Sequence, residues 1–137
     1  MAVYTVTNAV AGVPLGIKPQ IIEVVLDFSS TNLTTSDSVE VFEMKANTIV
    51  LMAGCEVLTA TSNSGCVLDL GDDADDDLYV SALDATGTNQ EINAASKFYS
   101  AADTIDLIVN SATFDGKVRV FAVIAEMGTA ETAASFA

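Results

Sequence analysis

Histidine and tryptophan are absent from this 137-residue chain, and lysine plus arginine number only five. Without an imidazole, the commonest general base and the commonest transition-metal ligand are both missing. Serine and cysteine are present, but nothing of that kind can activate them, and no Gly-x-Ser-x-Gly elbow occurs. The lack of tryptophan removes the usual sugar platform, so the many carboxylates do not read as a glycosidase pair. Gly12-Val-Pro-Leu-Gly16 lacks the Lys-Ser/Thr of a phosphate loop and does not open a helix. Five cations against 19 Asp plus Glu give a net charge of −14, which repels nucleic acid and anionic membrane alike. No enzyme activity and no cofactor are expected.

Thiols and prolines are also scarce, at two each. If Ala60 to Gly65 turn a hairpin, Cys66 faces Thr59 or Ala60, and Cys55 lies several residues further down the ladder. A disulfide is therefore not expected, and both cysteines read as small buried apolar groups. No segment approaches the roughly 18 consecutive apolar residues of a membrane helix. The first residues carry no basic region, and Pro14, Gly16 and Lys18 interrupt any apolar run, so no secretory signal is expected.

What the chain does have is apolar content, 50% of residues, which suffices for one core and argues against disorder despite the charge. Its most polarised stretch runs from Cys66 to Tyr79. Val67, Asp69 and Gly71 alternate with Leu68 and Leu70 as in a strand. The chain then breaks into five aspartates within six positions, Asp72 to Asp77. Like charge at that density predicts a solvated surface loop.

Further strands are predicted over Gln20 to Phe28, whose near-continuous apolarity suggests that both faces are covered, and over Val39 to Met44, with a phase change near Phe42 that suits a bulge. Ser29 to Ser38 is turn chemistry and Asn47 a turn residue. Thr48 to Thr61 makes a long strand, with a bend expected at Ala53-Gly54. Leu78 to Leu83 reads as a short strand or turn and Asp84 to Gln90 as a loop. Ile92 to Tyr99 is ambiguous, since Ala94 to Phe98 could make one helical turn. Asp103 to Val109 and Gly116 to Met127 read as strands joined by a hairpin at Asp115-Gly116. About eight short strands with almost no helical period predict an all-β, antiparallel, jelly-roll-like sandwich over residues 20–127. Residues 1–19 and 128–137 read as extended arms. Val3, Thr5 and Thr7 alternate with Tyr4 and Val6, and both prolines fall in the Ala9 to Pro19 connector. Val3, Tyr4, Val6, Val13, Pro14, Leu15 and Ile17 are the candidate inter-subunit contacts.

Asp73, Asp75, Asp77 and Asp84 stand at positions one, three, five and twelve of a calcium-loop spacing. Leu78 occupies the position that needs glycine, the flanks read as strands, and Asp84 is a shorter ligand than the usual glutamate. The solvated loop is the favoured reading, with a calcium-dependent binding module as the alternative.

Several stretches in fixed order resemble small β-rich virion proteins of tailed bacteriophages. They are Met52-Ala-Gly-Cys-Glu-Val-Leu-Thr-Ala60, Leu68-Asp-Leu-Gly-Asp-Asp-Ala-Asp-Asp-Asp77, Phe98-Tyr-Ser-Ala-Ala-Asp-Thr-Ile-Asp-Leu107 and Gly116-Lys-Val-Arg-Val-Phe-Ala-Val-Ile124, with Val25-Leu-Asp-Phe28 and Ser38-Val-Glu-Val-Phe42 upstream. The aspartate run is more acidic than that pattern. The resemblance implies a capsid decoration, or cement, protein that binds the major capsid protein and stabilises the head. It implies a homotrimer on the capsid exterior, made in the host bacterial cytoplasm, and it brings no catalytic residues. A tail or head-fibre accessory protein is the second possibility it leaves open.

Overall fold

A computed structural model describes residues 19–127. The arm residues Val3, Tyr4, Val6, Val13, Pro14, Leu15 and Ile17, and the C-terminal tail, lie outside that range. Nine strands run β1 (Gln20–Asp27), β2 (Ser38–Met44), β3 (Thr48–Thr59), β4 (Val67–Gly71), β5 (Val80–Asp84), β6 (Gln90–Asn93), β7 (Lys97–Tyr99), β8 (Asp103–Asn110) and β9 (Lys117–Glu126). No helix occurs among the described residues.

Two antiparallel sheets face each other. The first has the order β1-β9-β3-β6, with β7 also against β3, and the second the order β2-β8-β4-β5. With β7 set aside, this is the strand order of a jelly roll, as the alternation and turn spacing predict. The period of two explains the core. Val50, Ala53, Cys55 and Val57 of β3 and Val118, Val120 and Ala122 of β9 point inward, to meet Leu68 and Leu70 of β4 and Ile105, Leu107 and Val109 of β8. Phe114, fully buried, closes one end with Phe28 edge-on at 5.8 Å.

Local signals hold where they are purely local. The bulge falls between Glu40 and Phe42, and Asn47 turns with φ 65°. Connectivity differs in two places. Residues 60–65 do not turn a hairpin, because β3 belongs to the first sheet and β4 to the second. Asp115-Gly116 likewise carries the chain from β8 across to β9 in the opposite sheet. The Asp115 carboxylate instead accepts from the Thr61 hydroxyl at 2.8 Å, the Ser62 amide at 2.9 Å and the Ser62 hydroxyl. Those bonds, the Ser62 hydroxyl first, hold its carboxyl down to about 2 and tie the two crossovers together.

Three further expectations are corrected. The irregularities of β3 lie at Val50/Met52 and Val57/Thr59, not at Ala53-Gly54. Gly54 serves close approach, since a Cβ there would overlap the Glu91 carbonyl and press on Phe121. Residues 94–98 form no helical turn; Lys97 to Tyr99 pair with β3 as β7. Gln20 to Phe28 is not covered on both sides. Among the described residues strand β1 is an edge strand, and its outward Ile21 and Val25 are 76% and 47% exposed. Cys55 and Cys66 are free and buried, in line with the sequence reading, and burial pushes their thiols up to about 12 and about 11.

Candidate interaction surfaces and the aspartate clasp

The two sheets present chemically opposite outer faces. On the second sheet, register places Glu40 opposite Asp106 and Asp106 opposite Gly71, while Glu43, Asp69 and Asp84 also project outward. No lysine or arginine lies in any of its four strands. This face, with the aspartate loop at its edge, concentrates the negative charge of the protein.

The outer face of the first sheet is largely apolar. Ile21 of β1 sits beside Val123 of β9, which sits beside Met52 of β3; Glu23, Phe121 and Gly54 form the next row, with Ile92 of β6 beyond. Ile92 and Phe98 are 56% and 51% exposed. The few charges here compensate locally: Arg119 lies 3.8 Å from Glu23 and 3.5 Å from Glu56, and Lys117 lies 3.7 Å from Asp27. Apolar side chains exposed together on one face make it a candidate contact surface.

A buried clasp joins the sheets. Asp72, first of the five aspartates, has a fully buried side chain, a correction to the view that the whole run is solvated. Lys97 and Tyr99 point inward from β7, where their register partners are the buried Val50 and Thr48. Lys97 Nζ donates to Asp72 Oδ2 at 2.5 Å and the Tyr99 hydroxyl donates to the same oxygen at 2.8 Å. Oδ1 accepts from the amides of Ala74 and Asp75, both at 3.0 Å. Because Tyr99 gives its proton to Asp72, Tyr79, whose hydroxyl is 2.7 Å away, must donate to Tyr99. Lys97 also lies 4.9 Å from the centre of the Tyr99 ring. Burial raises the Asp72 carboxyl, but Lys97, Tyr99 and the two amides outweigh it and hold the group below its ordinary value. Burial pushes Tyr79 up to about 12 and Tyr99 higher still, so both remain protonated donors.

The aspartates of the calcium-type spacing, to which Asp72 does not belong, are dispersed in role, and Asp73 is exposed. Asp75 Oδ1 accepts from the Asp77 amide, Asp77 Oδ2 from the Ser81 hydroxyl, and Asp84 Oδ1 from the amide and hydroxyl of Thr86. Among the described residues no group of three or more carboxylates or thiols has the arrangement to hold a metal ion. A surface depression of about 410 Å³ is lined by residues 61–65 with Val67, Asp84 and Thr86. Its Thr61 and Ser62 hydroxyls donate to Asp115, whose carboxyl, held down to about 2, is a weak acceptor of their protons.

Asp106 is the weak point of the acidic face. It is nearly buried, its Oδ1 has no partner, and its carboxyl is raised by burial, then by Asp73, Glu40 and Asp103. A raised carboxyl favours the fold at low pH and opposes it once ionised. Asp106→Asn is therefore expected to raise the melting temperature at pH 7 by about 3 °C. The gain should fade as the pH drops below the carboxylate range; a lower melting temperature at pH 7 would contradict it.

No protein-family model and no curated protein matches the chain. Two solved structures do. A chain of the cyanophage Pam1 capsid asymmetric unit superposes with a TM-score of 0.61 and 21% identity, over 82% of this chain and 86% of that one. A chain of the acidic stable capsid structure of Helicobacter pylori bacteriophage KHP30 gives a TM-score of 0.61 at 10% identity, over 87% and 92%. The fold is shared with chains of two phage capsids. The match spans nearly the whole of each neighbour, so it concerns an entire domain and not an embedded fragment.

Proposed function

We propose that this protein is a bacteriophage capsid decoration protein, which docks on the lattice of the major capsid protein as a homo-oligomer, a trimer by the resemblance above. The observation that carries this reading is the near full-length jelly-roll likeness to chains of two phage capsids. The surface agrees with it. One face is apolar and suited to burial, and the other is acidic and suited to water, as a part repeated densely over a particle requires. Binding of this kind needs buried area and main-chain contacts, so neither an activated side chain nor a cofactor has a role.

The test is occupancy on particles. Labelled protein mixed with phage heads lacking it should decorate the heads in electron micrographs. Labelling of tails instead would replace decoration with a tail or fibre role. Removing residues 2–18 should lower head occupancy several-fold while the melting temperature stays within a few degrees; unchanged occupancy would end the reading of the arm as an inter-subunit contact on which occupancy depends.

A further inference from the structure

We propose that the open edge of β1 is the receptor for residues Val3 to Thr7 of a second copy of this chain, added as an extra strand to the first sheet. The proposal deepens the decoration reading, on which its biological sense rests, by naming where one copy holds the next.

Strand β1 differs from the other sheet edges. It spans eight residues, pairs with β9 in unbroken register, and contains no proline. By contrast, β2 is bulged, β5 is irregular with Ala82 at φ 53°, and β6 and β7 have four and three residues. Short or kinked edges are how proteins discourage strand addition; a long flat one invites it. The donors can be assigned. Phe28 N–H bonds the Gly116 carbonyl at 2.9 Å, so Leu26, Val24 and Ile22 also aim their amides at β9. Ile21, Glu23 and Val25 then aim theirs at the open edge, where no described strand takes them. The same residues carry the exposed apolar side chains Ile21 and Val25.

The occupant follows from sequence, charge and area. Val3-Tyr-Thr-Val-Thr7 alternates as a strand does, and it is joined to β1 by the twelve residues from Asn8 to Pro19. Val13 and Lys18 precede prolines and are thereby biased to extended backbone. At roughly 3.1 Å per residue, that connector reaches at most about 37 Å, beyond the roughly 27 Å length of its own β1. That length suffices to carry residues 3–7 past its own β1 to a neighbouring copy, and charge and area favour such a copy as the receptor. A neighbour carrying the same −14 charge is repelled by the acidic sheet, whereas the first sheet, with its charges paired, admits it. Four strands by eight residues offer roughly 500 Å², short of the roughly 800 Å² per partner of a stable interface, and an added arm strand supplies the difference.

Two measurements on the full chain decide it. Glu23→Pro removes an edge-facing amide and leaves the β1–β9 ladder intact. It should reduce the sedimenting mass from oligomer to monomer with the melting temperature nearly unchanged; a persisting oligomer overturns the proposal. Cys55 and Cys66 are buried and unreactive, so introduced thiols report alone. A Thr5→Cys chain mixed with chains carrying Ile21→Cys, Glu23→Cys or Val25→Cys, then treated with a short bismaleimide, should give cross-linked dimers with at least one partner. Cross-linking only within a single doubly substituted chain would make the arm intramolecular and sink the second-copy assignment, as would none at all. Mass and cross-links are read without phage particles. A chain that self-associates yet leaves heads bare would refute the decoration role alone, and one that decorates heads as a monomer would refute this interface alone.

Discussion

Lys97→Met should cost about 3 kcal/mol of folding stability, a fall of roughly 10 °C in melting temperature, because it strands a carboxylate that water cannot reach. Asp72 is fully buried while Lys97 is about one-third exposed, so the two halves of the pair are unequal. Asp72→Asn leaves an ammonium that can rehydrate and should cost only about 1–2 kcal/mol. The pH dependence has a definite sign. In the native protein the Asp72 carboxyl lies below its ordinary 3.8, so its contribution is full above that value and is lost as the pH falls through the folded one. Without Lys97, burial dominates and the carboxyl rises. The deficit of Lys97→Met against the native chain should then be largest near pH 7 and shrink on acidification. Melting curves from pH 7 down to pH 3 would show it, and a deficit independent of pH would contradict the clasp.

That clasp also marks where reading the sequence stops. Alternation at Leu68 and Leu70, turn chemistry at residues 29–38 and the phase change at Phe42 depend on neighbours along the chain, and they led to strands, a bulge and an all-β sandwich. The partner of Asp72 is 25 residues away, in the opposite sheet. Five aspartates in six positions favour solvation as a group, and that signal overrides the alternation which, continued from the buried Leu68 and Leu70, places Asp72 on the inward side. The two misassigned hairpins have the same origin. A turn sequence reports that the chain reverses, not whether the next strand joins its predecessor or crosses to the facing sheet, and Asp115 serves the crossover by accepting from Thr61 and Ser62. Strand β1 misled for a different reason. Apolar residues wait on its outer side as they would in a core, and sequence alone cannot separate a surface filled by the same fold from one left for another molecule.

Gly71→Ala should be at least as damaging as Lys97→Met, about 3–4 kcal/mol, although Gly71 has an ordinary negative φ and an alanine would suit its backbone. The obstacle is space. The aspartate loop folds back over the end of β4, with Asp72 and Asp75 exchanging backbone hydrogen bonds at 3.0 and 3.2 Å and Tyr79 N–H returning to the Leu70 carbonyl at 2.8 Å. A Cβ on Gly71 would overlap the Asp75 carbonyl and the Asp76 backbone, neither of which can swing aside as a side chain could. Relief requires the loop to lift, and lifting it withdraws Asp72 from Lys97 and Tyr99. The two substitutions therefore damage one structure by two routes. Denaturant unfolding of Gly71→Ala, Lys97→Met and the double variant should give a combined loss smaller than the sum, by 1 kcal/mol or more on the scale of about 0.5–3 kcal/mol typical of coupled neighbours. Strict additivity, or a Gly71→Ala protein as stable as the native one, would mean that loop and clasp are independent and that the close approach at Gly71 holds nothing in place.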